Sequence, residues 1–203
     1  MPGRFVVLEG GDASGKSTQA ARLAARLRER GVAVCETFEP GATAAGAVLR
    51  EVLLHGREPV NATAEMLLMA ADRAQHVDEQ IAPALERGDW VVCDRYVPSS
   101  LVYQGVVRGI GVDAVDAVNR VATAGLSPDL VVVLDVDNAV AVTRSGGSRD
   151  RLESEGEPFH SAVRAAYRSL AAERGWRIVD GTPDADTVAD GVWTVVAELL
   201  ERA

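Results

Sequence analysis

Residues 4–19 read RFVVLEGGDASGKSTQ, and this stretch decides the architecture. The apolar run at 5–8 predicts a strand buried on both faces. From Lys16 onward, Ala20, Leu23, Ala24 and Leu27 recur at helical spacing, so a helix is expected over 16–30, stopped by Gly31. Between strand and helix, Gly10, Gly15, Lys16 and Ser17 fit the pattern G-x-x-x-x-G-K-[ST] in its required setting. Glycines let the backbone curl until successive N–H groups face inward, and these groups, with the helix N-terminus, cradle phosphate oxygens. The expected triphosphate-binding residues are therefore Gly10, Gly11, Asp12, Ala13, Ser14, Gly15, Lys16, Ser17 and Thr18. Lys16 is expected on the β- and γ-phosphates and the Ser17 hydroxyl on Mg2+.

Outward from this loop, short β-rich runs alternate with helical patterns. Strands are expected at 32–38, 90–94, 130–136 and 176–180. Helices are expected at 44–54, 63–87, 98–108, 112–124, 138–145, 159–174 and 184–202, with Pro83 near a start or kink. Five apolar strands separated by helices predict an α/β chain: one domain over residues 1–203, with a five-stranded parallel sheet covered by helices on both faces. Residues 145–157, SGGSRDRLESEGE, carry Leu152 as their one apolar side chain and are the expected mobile lid.

Composition removes several function classes. The 203 residues include 21 basic and 30 acidic side chains, a net charge of −9, and Lys16 is the one lysine. No polybasic membrane patch or nuclear-localisation tract is present. A guanine-reading Asn-Lys-x-Asp loop and a Val-Ala-Ile-Lys protein kinase each need a lysine elsewhere. The acidic balance opposes general nucleic-acid binding, which relies on basic surface to displace counterions. A locally positive pocket for small anions remains open. Cys35 and Cys93 each end an apolar run and are expected as buried free thiols in a reducing cytosol. No run approaches the ~20 apolar residues of a membrane span, so a cytoplasmic enzyme without a membrane partner is expected. His55, His76 and His160 lack metal spacing and are read as structurally ordinary.

Further constellations lie at strand ends, the edge where open α/β sheets bind ligands. Glu39-Pro40-Gly41 follows the second strand, and Asp94-Arg95-Tyr96 follows the third. The lid region carries Arg144, Arg149 and Arg151. A carboxylate can hold magnesium through water, and an arginine can grip phosphate bidentately. Singly, each has a plain structural reading: an ion pair capping a helix, a turn, a solvated charged face.

In this order around a phosphate loop, the residues resemble the bacterial thymidylate kinase family over nearly the whole chain. EGGDASGKSTQ looks like its phosphate loop, and TFEPGAT (37–43) like its Arg-Glu-Pro-Gly-Gly-Thr segment. AADRAQH (70–76), DRYVPSSLVYQG (94–105), SPDLVVVLDV (127–136) and DRLE (150–153) match further segments. The resemblance implies a P-loop NTPase fold of the nucleoside monophosphate kinase type. It also implies transfer of the ATP γ-phosphoryl group to thymidine 5′-monophosphate on the way to the triphosphate, with Mg2+, in a homodimer.

By position, the resemblance puts Asp12 on the sugar 3′-hydroxyl, Arg95 between donor and acceptor phosphates, and Arg50 on the acceptor phosphate. Glu39, with Pro40, and Asp94 would orient that phosphate, its arginine and the metal, directly or through water. Arg73, Ser100 and Gln104 would hydrogen-bond the thymine beside Ser99, and Tyr103 would crowd the 2′ position. Arg144 would stack on adenine, flanked by Gly181, Thr182 and Pro183. Ala13 stands where one lid type has its loop arginine, so the sequence fits the type with a catalytic lid arginine, Arg149 first and Arg151 second. Met69 stands where many relatives have an aromatic ring, and Phe38 where many have arginine. These two leave room for another pyrimidine nucleotide or nucleoside as acceptor. A nucleotide-binding regulator without transfer activity is the rival from another class. A phosphate acceptor is largely dianionic near pH 7, its second pKa being about 6, so no general base is required.

Overall fold

The computed structural model describes residues 3–56, 58–144, 151 and 154–201. Five strands form one sheet: β1 (Phe5–Glu9), β2 (Val34–Phe38), β3 (Trp90–Asp94), β4 (Leu130–Asp135) and β5 (Arg177–Asp180). Their order is β2-β3-β1-β4-β5 and every pairing is parallel. The central strand β1 is buried at all five positions, as its unbroken apolar run requires.

Side chains alternate across the sheet. Phe5, Val7, Val91, Cys93 and Val133 join one core with Ile81, Leu101, Val115 and Tyr167. Val6, Leu8, Val92, Val132 and Leu134 join the other. There they meet Leu23 and Leu27 of α1 (Lys16–Arg28) and Val188, Val192 and Val196 of α9 (Ala185–Glu201). Each such side chain contributes roughly 1.5–3 kcal/mol on leaving water, so the loop between β1 and α1 is anchored in the most stable part of the molecule. Cys93 is buried as expected, but Cys35 is only half-buried. The reason is position: β2 is an edge strand.

The remaining helices are α2 (Ala44–Arg50), α3 (Ala62–His76), α4 (Ala82–Glu86), α5 (Val97–Ser100), α6 (Val112–Ala122), α7 (Asn138–Arg144) and α8 (Glu157–Arg174), of which α3, α4, α6 and α8 pack into the first core. Three expected helices continue into π-helical turns: Glu51–His55 after α2, Val77–Ile81 after α3 and Leu101–Val107 after α5. The second of these precedes Pro83, near the start of α4. Proline has no N–H to donate and crowds the carbonyl four residues back, here Glu79. The widened turn holds Glu79 and lets the helix pass the proline with little offset. Helix α8 begins at Glu157, the last residue of the expected lid. Most of that lid, including Arg149, lies outside the described residues. Among the described residues, no helix is long and apolar enough to cross a membrane.

Candidate active site

The C-terminal ends of β1, β2 and β3 open into one cavity of about 830 Å3. It runs from the phosphate loop, at Ala13 and Lys16 to Thr18, to Met69, Arg73 and Gln104. Such a volume accommodates a small-molecule ligand.

The loop's conformation follows from its glycines. Gly10 has φ +140°, and a Cβ there would lie 2.5 Å from the Leu134 carbonyl oxygen. Gly15 has φ +90° and caps α1 in the left-handed region. Lys16 is folded back over the loop, its Nζ donating to Gly11 O at 2.8 Å and to Ser14 Oγ at 3.3 Å. Burial and the neighbouring Arg95 guanidinium depress its pKa to about 8, against the pull of Asp94, Asp12 and Glu9. This ammonium is therefore short of negative partners, as a phosphate-binding group should be.

Ser17 Oγ donates to Asp94 Oδ2 at 2.5 Å, and the other oxygen, Asp94 Oδ1, is buried without a hydrogen-bond partner. A hydroxyl and an orphaned carboxylate oxygen beside a phosphate cradle fit Mg2+, which takes one or two protein oxygens plus phosphates and water. Among the described residues, no group of three or more His, Cys, Asp or Glu could hold a metal by itself.

Arg95, next in the chain, has φ +71°. Its guanidinium donates to Asp12 Oδ1 at 2.5 Å, Gly10 O at 3.2 Å and Ser99 Oγ at 3.2 Å, and lies 5.5 Å from the Tyr103 ring centre. Burial acts to raise the Asp12 carboxyl pKa, but Arg95 and Lys16 outweigh it and the net shift is downward. The Tyr103 hydroxyl donates to Asp12 Oδ2 at 3.3 Å. Thus Asp12, Arg95, Ser99 and Tyr103 do converge.

A residue without an assigned role holds this cluster. Glu9 is fully buried and accepts from Tyr96 N at 2.9 Å, Ser99 N at 3.1 Å, Ser99 Oγ at 2.7 Å and the Tyr167 hydroxyl at 2.7 Å. It fixes the turn around Arg95, and burial pushes its own pKa up. The signal in the sequence is a carboxylate closing an apolar strand.

On the acceptor side, Glu39 Oε2 accepts from Arg73 Nε at 2.8 Å, and Glu39 Oε1 lies 3.0 Å from His76 Nδ1. Each oxygen thereby has one partner, and the geometry makes Glu39 an orienter of Arg73. His76, read from sequence as ordinary, is fully buried and bridges Glu39 to Thr37 Oγ1, 2.6 Å from its Nε2. Arg73 also donates to Ser100 Oγ at 3.0 Å, Tyr96 O at 3.1 Å and Asn119 Oδ1. Asn119 went unrecognised because α6 reads simply as amphipathic.

Arg50 donates to Pro40 O at 2.6 Å, and its guanidinium lies 5.9 Å from the half-exposed Phe38 ring. Phe38 therefore gives Arg50 an aromatic platform where a second arginine would repel it. Asp72 accepts from Gly41 N at 2.9 Å and steadies the turn after Pro40. Met69 lies half-buried against the small apolar cluster of Leu53 and Leu54. Gln104 donates from Nε2 to Glu65 Oε1 at 2.8 Å.

On the opposite flank, Arg144 donates to Gly181 O at 2.7 Å, Thr182 O at 2.7 Å and Pro183 O at 3.0 Å. The structure therefore assembles the expected adenine-flanking group. Arg151, the second lid arginine, is placed beside Glu65. Its Nε donates to Leu53 O at 2.9 Å and its Nη2 to Glu65 Oε2 at 2.7 Å, and it does not line the main cavity. It serves as a buried-charge partner in this conformation, because Glu65 requires a cation. Arg149, the first choice for the catalytic lid arginine, lies outside the described residues.

One guanidinium, that of Arg95, thus lines a cavity that joins the glycine-rich loop to Arg73 and Gln104, on a 2-3-1-4-5 parallel sheet. This is the arrangement of a P-loop nucleoside monophosphate kinase, which lines up two phosphorylated nucleotides for transfer. A family model described as "Thymidylate kinase" matches residues 8–192. Curated proteins named thymidylate kinase align along nearly the whole chain. That of Solidesulfovibrio magneticus is 45 % identical, covering 97 % of this chain and 100 % of its own. That of a Synechococcus strain is 47 % identical, covering 98 % and 97 %. That of Leifsonia xyli is 48 % identical, covering 93 % and 91 %. The chain belongs to the thymidylate kinase family.

Proposed function

We propose that this chain transfers the γ-phosphoryl group of ATP to thymidine 5′-monophosphate, giving ADP and thymidine 5′-diphosphate, with Mg2+ as the metal. One observation carries the reading: a single cavity joins the Lys16 cradle to the Arg73 and Gln104 pocket, with Arg95 lining it midway.

An oxygen of the acceptor phosphate forms the new bond to Pγ as the bond from Pγ to the β-phosphate oxygen breaks. The acceptor is already dianionic near pH 7, so no residue need take a proton. What remains is alignment and charge neutralisation, and alignment alone can supply roughly 7–11 kcal/mol. Lys16 neutralises charge on the donor phosphates. Arg95, held by Asp12, Gly10 O and Ser99, bridges donor and acceptor phosphates. Arg50 grips the acceptor phosphate from its Phe38 platform. Glu39 and His76 hold Arg73 toward the base, together with Ser100 and Gln104. Met69 lies along the base, and Tyr103 with Asp12 meets the deoxyribose. Arg144 with Gly181, Thr182 and Pro183 flanks the adenine. Ser17 and Asp94 would hold Mg2+, which would neutralise phosphate charge. Arg149 is the lid arginine that completes the charge clamp. The same reading has the chain working as a cytoplasmic homodimer without nucleic-acid or membrane partners, in keeping with its net acidic charge.

The test is ADP release coupled to a spectrophotometric readout, with chromatographic identification of the second product. Thymidylate-dependent release with one diphosphate formed per ADP is expected. ATP turnover that ignores thymidylate, or no turnover, refutes the proposal.

A further inference from the structure

We propose that Glu65 is a positioning residue that sets the hydrogen-bonding polarity of the nucleobase pocket. The inference rests on the functional reading above and deepens it. Glu65 lies on α3, and its side chain is 1 % exposed. A carboxylate so buried needs partners, and it has three kinds. Its Oε2 accepts from Arg151 at 2.7 Å, Arg108 Nε lies 3.6 Å from Oε1, and the same Oε1 accepts from Gln104 Nε2 at 2.8 Å. Two guanidinium groups thus face it, and both of its oxygens act as acceptors. Arg151 is itself fixed through Leu53 O, and Arg108 is tied to Glu155 at 2.9 Å.

The consequence falls on Gln104, which is itself 1 % exposed and lines the main cavity. A glutamine amide can turn either end to a neutral partner, but an acceptor-only carboxylate admits the NH2 end alone. The carbonyl oxygen is therefore the end turned away from Glu65. Arg73 lines the same cavity, and after its bonds to Glu39, Ser100, Asn119 and Tyr96 O it keeps one N–H, on Nη2, to donate. An acceptor at Gln104 beside a donor at Arg73 matches the N3–H and O4 edge of thymine or uracil. It opposes cytosine, whose N3 accepts and whose N4 donates. A buried polar mismatch of this kind is a strong discriminator. Glu65 thereby acts on selectivity without touching the substrate.

The experiment compares kcat/KM for thymidine and deoxycytidine monophosphates in the parent chain, Glu65→Gln and Glu65→Asp. Glutamine at 65 can donate or accept, which frees the Gln104 amide to turn over. The thymidine-to-deoxycytidine ratio is expected to fall by about tenfold or more, carried by KM, while kcat for thymidylate changes less than about threefold. Aspartate remains acceptor-only, so the ratio is expected to hold within about threefold even as both kcat/KM values drop. An equal loss for both substrates in Glu65→Gln, or an unchanged ratio, overturns the inference. If Glu65→Gln lacks the parent's circular dichroism, Gln104→Leu reads the same contact from the other side. Collapse of the ratio there supports the inference and retention overturns it. A parent chain inert toward thymidylate overturns the functional reading and takes this inference with it. An active parent whose Glu65→Gln ratio is unchanged overturns the inference alone.

Discussion

Raising the pH from 7 to 9 discharges most of Lys16 in the free protein and stays below the ionisation of the thymine N3–H. Phosphate second ionisations lie near 6 and are complete over this window. Tyr103 and Cys93 are pushed up by burial and stay protonated. Lys16 has a pKa of about 8, depressed first by burial and then by Arg95. A depressed lysine carries its charge below that value and loses it above. The protonated fraction therefore falls from roughly nine-tenths at pH 7 to roughly one-tenth at pH 9. Since kcat/KM for ATP reports the free enzyme, it is expected to drop about tenfold over that interval. Bound ATP changes the balance. A phosphate charge about 4 Å from the ammonium, at an effective dielectric of about 20, is worth about 4 kcal/mol, or about three pKa units. Hence kcat at saturating ATP is expected to stay level to pH 9. The assay is steady-state kinetics in the coupled system, with the coupling enzymes in excess at every pH. A kcat/KM for ATP that is flat to pH 9, or a kcat that falls with the same midpoint, refutes the reasoning.

Lys16→Ala is expected to lower kcat by about 100- to 1,000-fold or more while the unfolding midpoint stays close to the parent's, because the ammonium stabilises charge in transfer. Near-normal turnover refutes its role. Glu39→Gln leaves Arg73 buried without its carboxylate, both side chains being 3 % exposed. A loss of about 3–5 kcal/mol in urea denaturation is expected, and a change under 1 kcal/mol contradicts the orienting role. Met69→Phe is expected to tighten thymidylate binding by about 0.5–1.5 kcal/mol in calorimetry with kcat similar. Weaker binding means that Met69 does not face the base.

The three central strands were legible because a parallel strand buried on both faces leaves an unbroken apolar run, as in 5–8 and 130–134, and the edge strands β2 and β5 through short β-rich runs between helices. The phosphate loop was legible because its backbone demands glycine at 10 and 15. The π-helical turns were not, since one extra residue per turn barely disturbs an apolar period over five residues. Glu9, Glu65, His76 and Asn119 were missed for a different reason. Each is a polar residue in an apolar context whose meaning comes from a partner far along the chain, such as Glu65 with Arg151 across 86 positions. Local patterning flags such residues as odd but cannot name the partner. Arg151 illustrates the cost: from sequence it is the second lid arginine after Arg149, and nothing local points to its contact with Glu65. The Arg144 group was reached by resemblance, because nothing local ties position 144 to Gly181, Thr182 and Pro183.

The central claim is that this cavity selects thymidylate as the phosphoryl acceptor. The most direct measurement is kcat/KM, at saturating ATP and Mg2+, for thymidine, deoxyuridine, deoxycytidine and uridine monophosphates, with thymidine as the unphosphorylated control. Thymidine monophosphate is expected to give the highest value and thymidine itself none. A higher value for any other acceptor, or no acceptor-dependent ADP at all, contradicts the account.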